Sequence, residues 1–323
     1  MKIVVLEKTE MSASQKARIE KCGQVEFWDY DYNDSTKREE AIERVKKSNA
    51  DIVVANWFDP SDFILSMKQH SLVALMSTGY AWIQHREKAR QNDCLIANIP
   101  GFATEAVAEM IMGLIFSCSR KIMIGDREIR EGVKVRGTLR GFELSPNTGF
   151  ELSFNKKAGI IGLGKIGTRV AEILQFFGVE VITYNRTLKN ISGIKDVSLD
   201  TLLSESDIVC ITCSINKESK HMINFDKLNL LKQNSVVVGT TWGVIKTNDL
   251  SKFMKERQDV LFGFDAAFEG EDINLKKDIR SEQNIVLTPH IAFDTNEALI
   301  RQVDICISNI EAFIAGKEQN IIN

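Results

Sequence analysis

Three glycines and the residues around them carry the first chemistry that can be read in this sequence. Gly162, Gly164 and Gly167 stand at G-x-G-x-x-G spacing. Before them, Ala158 to Ile161 is a short apolar run, as a buried parallel strand is. After them, Ile166, Val170, Ile173, Leu174 and Phe177 recur at helical spacing, and Val179 to Tyr184 reads as a second strand. The glycines therefore lie between a strand and a helix inside one βαβ unit, the context that separates a dinucleotide-binding turn from a chance match. Gly162 permits the tight turn, Gly164 lets a pyrophosphate approach the backbone, and Gly167 lets the helix pack close to the strand. The helix start, with Lys165 and Ile166, offers free N–H groups and a partial positive charge to phosphates.

A carboxylate normally ends the second strand of such a unit and binds the adenosine 2′-hydroxyl. Here Asn185 stands in that place, followed by Arg186 and Thr187. An amide, a guanidinium and a hydroxyl suit a 2′-phosphate better than a diol. The expected cofactor is NAD(P), with NADP favoured over NAD.

These residues need a scaffold, and the composition bounds it. At 323 residues the chain is too long for one ordinary core, so two domains are expected. With 44% hydrophobic and 26% charged residues it reads as a soluble globular protein. A net charge of −3 gives no reason to invoke nucleic acid or an anionic membrane as partner. Met1-Lys-Ile-Val-Val-Leu-Glu is a strand pattern, too short for a signal segment. The most apolar helix, Val107 to Cys118, contains Glu109 and is too short to span a bilayer. A cytoplasmic location is expected. The six cysteines fit reduced, buried thiols. Cys210 and Cys213 form a C-x-x-C within a strand pattern, where residues three apart point to opposite faces and cannot chelate one metal. No metal site is expected.

Residues 1 to 98 alternate strand and helix. Strands are expected at Ile3–Leu6, Val25–Trp28, Ile52–Ala55, Leu72–Met76 and Leu95–Ala97, with helices clearest at Lys37–Lys47 and Ile83–Gln91. Such alternation implies a parallel sheet with helices on both faces. Phe102 to Lys121 reads as a long helix, apolar around most of its circumference, to be buried in part against another subunit. Gly125 to Asn155 reads as a loop-rich connection. Further strands follow at Ile208–Thr212, Val236–Val238, Leu261–Phe264 and Ile285–Leu287, and a last helix at Glu297–Ala315.

Taken together, these segments resemble the D-isomer-specific 2-hydroxyacid dehydrogenases. Ser77-Thr-Gly-Tyr-Ala-Trp-Ile-Gln is similar to the family's substrate loop. Asn98-Ile-Pro-Gly-Phe-Ala-Thr-Glu-Ala-Val-Ala-Glu is similar to the motif leading into its long interdomain helix. Gly159 to Gly167 resembles its cofactor fingerprint, and Leu287-Thr-Pro-His-Ile-Ala its catalytic histidine motif. The resemblance implies an α/β fold of two doubly wound parallel-sheet domains, with a Rossmann nucleotide domain inserted into a flavodoxin-like substrate domain. Residues 1–100 and 292–323 would form the substrate domain and 101–291 the dinucleotide-binding domain. The active site would lie in the cleft at the carboxyl ends of the strands. A homodimer is implied as well.

The resemblance also distributes roles. His290 would give or take the proton while hydride passes between the nicotinamide and a carbonyl or 2-hydroxy compound, a task that suits a group titrating near neutrality. A carboxylate should orient the imidazole. Matching Phe268-Glu269-Gly270-Glu271 to the family's pattern selects Glu271, with Glu269 as the alternative. Asp265, Thr241 and Ala292 would contact the cofactor, and the backbone at Thr78, Gly79 and Tyr80 an anionic substrate group. The chain departs from the family at one point. In Val236-Val-Val-Gly-Thr-Thr-Trp-Gly, Trp242 stands where the family carries an arginine that polarises the carbonyl and holds the carboxylate. Trp57, Trp82 and Phe293 also fall at pocket positions. Two readings follow: an NAD(P)-dependent oxidoreductase with an atypical small-molecule substrate, favoured by His290 and Glu271, or a cofactor-binding sensor with little activity, favoured by the loss of the arginine.

Overall fold

The computed structural model describes residues 1–31, 34–80, 82–132, 139–145, 156–265, 278–280 and 282–323. The chain divides into two units, Met1–Ala103 with Thr295–Asn323, and Thr104–Asp294.

The smaller unit runs β1 (Lys2–Glu7), α1 (Ala13–Cys22), β2 (Gln24–Tyr30), α2 (Arg38–Ser48), β3 (Ile52–Ala55), β4 (Ser71–Leu75), α3 (Arg86–Gln91) and β5 (Cys94–Ala97), and closes with the C-terminal helix Asn296–Ile314. Its strands pair in parallel in the order β2-β1-β3-β4-β5. Residues 3–6, 52–55 and 72–75 are apolar and buried throughout, because a parallel sheet is covered on both faces. Helix starts are fixed by short polar side chains. Ser12 and Gln15 form a capping box on α1, and Thr295 accepts from the Ala298 N–H at 3.2 Å at the start of the C-terminal helix. In this strand order the chain reverses direction of winding between β1 and β3. That is the switch point at whose carboxyl edge open α/β sheets bind ligands.

The C-terminal helix ties down the loops at that edge. Gln302 Nε2 donates to the Met76 carbonyl at 2.7 Å, Asn309 Nδ2 to the Asn98 carbonyl at 2.8 Å, and Arg301 Nε to the Phe102 carbonyl at 2.8 Å. Gln302 and Asn309 are buried, and each satisfies a loop carbonyl that has no sheet partner.

The larger unit runs α4 (Thr104–Ser119), α5 (Ile122–Arg130), β6 (Lys157–Ile161), α6 (Lys165–Phe176), β7 (Glu180–Tyr184), β8 (Lys195–Asp196), α7 (Leu199–Glu205), β9 (Ile208–Ile211), α8 (Phe225–Leu228), β10 (Val236–Gly239), α9 (Thr247–Glu256), β11 (Leu261–Asp265) and β12 (Ile285–Thr288). All seven strands are parallel, in the order β12-β11-β10-β9-β6-β7-β8. The fold is thus two doubly wound parallel-sheet α/β units.

Three local expectations need correction. The connection starting at Gly125 is not loop throughout, since α5 occupies Ile122–Arg130 and buries no residue. Its charged composition hid a helix that needs no core face. The helix expected from Ile83 begins only at Arg86, because His85 holds a left-handed backbone at φ 62° that cannot continue a helix backwards. The long apolar helix begins at Thr104 rather than Phe102, following Gly101 at φ 87°.

Candidate active site

Asp265 ends β11 with no exposed surface. Opposite it in register stands Thr288, the last residue of β12. The Thr288 hydroxyl donates to Asp265 Oδ1 at 2.6 Å, the Ile291 N–H to the same oxygen at 2.9 Å, and the Ala292 N–H to Oδ2 at 2.9 Å. His290 sits inside this grip at φ 58°. A left-handed backbone at a non-glycine residue costs roughly 1–3 kcal/mol and persists only where its surroundings over-determine it. Here the surroundings are one carboxylate that pins the residues on both sides. The half-buried imidazole meets Phe293 edge to face, 5.6 Å between ring centroids. Asp265, expected as a cofactor contact, is placed as the organiser of the histidine loop. Glu271 and its alternative Glu269 lie outside the described residues.

The glycine turn follows β6. Gly162 has φ 98°, and a Cβ there would meet Cys213 Cα at 2.6 Å. A Cβ on Gly167 would meet the Gly162 carbonyl oxygen at 2.4 Å. A Cβ on Gly164 would meet nothing within 4 Å. So two glycines are required by the protein's own packing and the third leaves space. Gly164 is the N-cap of α6 and gives it no side-chain cap. Above it opens a cavity of about 510 Å³ whose lining includes Gly164, Lys165, Arg169 and Lys189 and also the carboxylates of Glu105 and Glu172, which pair with Arg169. An uncapped helix start, an open glycine and lysines on the rim fit the pyrophosphate of a dinucleotide. Ile166 is half-buried in the first turn of the helix.

Asn185 turns inwards. Its Oδ1 accepts from the Leu163 N–H, while Nδ2 donates to Thr183 Oγ1 at 2.9 Å and to Asp196 Oδ1 at 3.4 Å. The amide thus ties the end of β7 to the glycine turn. Arg186 and Thr187 are exposed, and the Arg186 guanidinium meets Glu218 at 3.1 Å. Arg169 is held by Glu105 at 2.8 Å and Glu172 at 2.9 Å.

Trp242 is half-buried beside Thr241 and packs its indole edge to face on Phe264, 5.4 Å between ring centroids. It extends the core of the larger unit. Thiol chemistry has no support in the same region. Burial pushes the Cys210 thiol up to about 12 and that of Cys213 to about 11, so neither supplies a thiolate at neutral pH.

In the smaller unit, Trp57 and Trp82 remain 46% and 43% exposed, large for tryptophan. Thr78, Gly79 and Tyr80 are exposed. The Thr78 hydroxyl donates to the Ile99 carbonyl at 2.9 Å, and Asn98 Nδ2 donates to the Thr78 carbonyl at 2.7 Å. Sequence reading passed over Glu7, whose buried carboxylate accepts from the Asn56 and Trp57 N–H groups. The signal was a charged residue closing an otherwise apolar strand. It also passed over Lys189 on the cavity rim and Glu218 against Arg186, which no local pattern marks.

Comparison with known proteins bears on the family of the chain. Residues 112–292 match the family model for the D-isomer specific 2-hydroxyacid dehydrogenase, NAD binding domain. A glyoxylate reductase of Aeropyrum pernix is 34% identical over 269 residues, 81% of this chain and 79% of that one. A glyoxylate reductase of Thermococcus litoralis is 29% identical over 311 residues, 94% and 92% of the two chains. Among solved structures, an acyclic imino acid reductase in complex with NADPH and D-arginine superposes with a TM-score of 0.85 at 26% identity, covering 100% of both chains.

The three glycines should separate in mutagenesis. Gly164→Ala is expected to leave the melting temperature within about 2 °C while weakening dinucleotide binding at least tenfold. Gly167→Ala should lower stability by about 1–3 kcal/mol through overpacking. Thermal melts with cofactor titration check both, and a Gly164→Ala protein that binds cofactor normally would refute this use of the turn.

Proposed function

The chain belongs to the D-isomer-specific 2-hydroxyacid dehydrogenase family, and from that premise we propose that it is a cytoplasmic, NADPH-preferring reductase. Its acceptor would be bulkier or less anionic than glyoxylate. Membership makes it an NAD(P)-dependent oxidoreductase acting on CH–OH groups. The substrate half of the proposal is supported by Trp242, an indole packed on Phe264 in the segment where the resemblance would put the family's arginine.

His290 gives a proton to the substrate oxygen in reduction and takes it back in oxidation. Asp265 holds the loop that presents it. Glu271 supports the imidazolium that forms in the oxidative direction. The cofactor, when bound, supplies the hydride. Lys165 and the N–H groups at the start of α6 bind its phosphates, and Arg186 takes the 2′-phosphate. A desolvated carboxylate needs an opposite charge, and an indole at Trp242 carries none. The backbone at Thr78–Tyr80 can still receive an anion, without a guanidinium's charge. Trp57 and Trp82 favour an apolar or aromatic substrate face.

A second reading has its own support. A protonated imine already carries the positive charge that an arginine would otherwise induce, and an indole face attracts a cation where a guanidinium repels it. The likeness to an imino acid reductase points the same way. Its acceptor would be an imino acid in place of a keto acid.

No helix among the described residues is long and apolar enough to cross a membrane. The partner we assign is a second copy of this chain. Ile122, Met123 and Ile129 on α5 are 55%, 45% and 66% exposed and Phe176 on α6 is 89% exposed, more apolar surface than a lone unit usually presents.

Three outcomes are expected. Steady-state kinetics should show low kcat/KM for glyoxylate and pyruvate, and higher values for phenylpyruvate or for pyruvate supplied with methylamine. Trp242→Arg should raise kcat/KM for glyoxylate about tenfold or more. Efficient glyoxylate turnover by the parent would overturn the substrate assignment. In fluorescence titration NADPH should bind more tightly than NADH. Arg186→Ala should narrow that gap, and Glu218→Gln, by freeing Arg186, should tighten NADPH about twofold and leave NADH unchanged. Equal affinities in the parent would sink the cofactor preference. Sedimentation should show a dimer that Phe176→Asp dissociates, and a parent that stays monomeric at all concentrations would exclude it.

A further inference from the structure

In the smaller unit β1 and β3 lie side by side in parallel, with Val5 opposite Val54, so that Glu7 reaches the turn leaving β3. Glu7 is 4% exposed. Its Oε2 accepts from the Asn56 N–H and its Oε1 from the Trp57 N–H at 2.8 Å, and the Phe58 N–H acts on the same carboxylate. Consecutive backbone N–H groups of this kind form an anion-binding concavity. Here the chain fills it with its own side chain. Among the described residues no lysine or arginine pairs with Glu7, so backbone dipoles alone hold the charge. Burial raises the carboxyl above its ordinary range while the three N–H groups pull it down. A neutral asparagine or serine could cap a turn without that burial cost. The charge gives a stiffer grip, since hydrogen bonds to an ionised acceptor are about twice as strong as neutral ones.

The turn so gripped carries Trp57, which is 46% exposed although Phe58 beside it is buried at 4%. It lies at the β1/β3 switch point, the edge where ligands bind in sheets of this order. The Glu7 backbone is braced in turn, as Thr9 Oγ1 donates to its carbonyl at 3.0 Å.

We propose that Glu7 is the positioning residue of the Trp57 turn: its carboxylate fixes the indole at the β1/β3 edge and thereby sets how tightly the non-reacting part of the substrate is held. The proposal rests on the reading that Trp57 faces substrate. It adds a residue that takes no part in proton or hydride transfer and acts on ground-state and transition-state binding alike. Such a residue moves KM and leaves kcat nearly unchanged.

The test uses the full-length enzyme with phenylpyruvate as probe, in the parent, Glu7→Gln, Glu7→Asp, Trp57→Ala and the Glu7→Gln/Trp57→Ala double variant. Glu7→Gln sets an amide NH₂ against one of the backbone donors. It should raise KM about tenfold, keep kcat within about twofold and leave NADPH affinity unchanged. Trp57→Ala should raise KM similarly, and the double variant no further, because the two act as a unit. In hydrogen exchange the Asn56 and Trp57 amides of Glu7→Gln should lose protection about tenfold while β1 and β3 keep theirs. Should Glu7→Gln not fold, Glu7→Asp, which keeps the charge on a shorter stem, must show the same KM rise in smaller measure. An unchanged KM in Glu7→Gln beside a raised KM in Trp57→Ala overturns the proposal, as does an equal loss in kcat and NADPH affinity. An unchanged KM in Trp57→Ala instead refutes the reading of Trp57 as a substrate wall. A parent that turns over no carbonyl or imine refutes the proposed function alone, and exchange at Asn56 and Trp57 then decides whether Glu7 holds the turn.

Discussion

The buried carboxylate of Asp265 is the constraint on which the reactive end of the larger unit depends. An unsolvated carboxylate is costly to bury unless its lone pairs are filled, and this one is filled by a hydroxyl and two backbone N–H groups of the next strand and its loop. The filling works only because β11 and β12 run parallel with Asp265 opposite Thr288. Slipping that pairing by one residue would turn the Asp265 carboxylate to the other face of the sheet. With the pairing intact, the loop has one way to close, and His290 is carried into a left-handed backbone as its central residue. Burial of Ala292 and the contact between Phe293 and the imidazole follow from the same closure.

The same solution recurs at the ends of β6, β3, β4 and β5. Asn185 occupies the Leu163 N–H at the glycine turn. Glu7 occupies the Asn56 and Trp57 N–H groups. Gln302 and Asn309 occupy the Met76 and Asn98 carbonyls. Strands and helices satisfy their own backbone groups, but the carboxyl edge of a parallel sheet does not, and buried polar groups there need partners. Borrowed side chains meet that need and stiffen the loops that carry function.

Charge is distributed with a consistent bias. Arg169 is matched by Glu105 and Glu172, and Arg186 by Glu218. Lys165 and Lys189 line the cavity over the start of α6, beside the Glu105 and Glu172 carboxylates that pair with Arg169. Trp242 adds no charge, since its indole is committed to an aromatic contact with Phe264. Trp242 is therefore part of how this core is built.

The sequence by itself determined the class of fold and the placement of its main elements, because buried parallel strands must be short apolar runs and the helices between them must show one apolar stripe. Ile52–Ala55 is read and built identically. It also determined the glycine turn, whose spacing is legible inside one βαβ unit even though the residue that crowds Gly162 is Cys213, beyond β9. It missed α5, a short helix among charged residues whose apolar side chains stay exposed, and it placed the start of α3 too early, because a left-handed residue such as His85 has no marker in composition. What only the tertiary structure decided are the partners distant in sequence. Asp265 lies 27 positions before Ala292, Glu7 lies 50 before Trp57, and Asn98 lies 211 before Asn309. No local pattern encodes such pairs, since they exist only once strand order and register have brought the carboxyl ends of neighbouring strands to one edge.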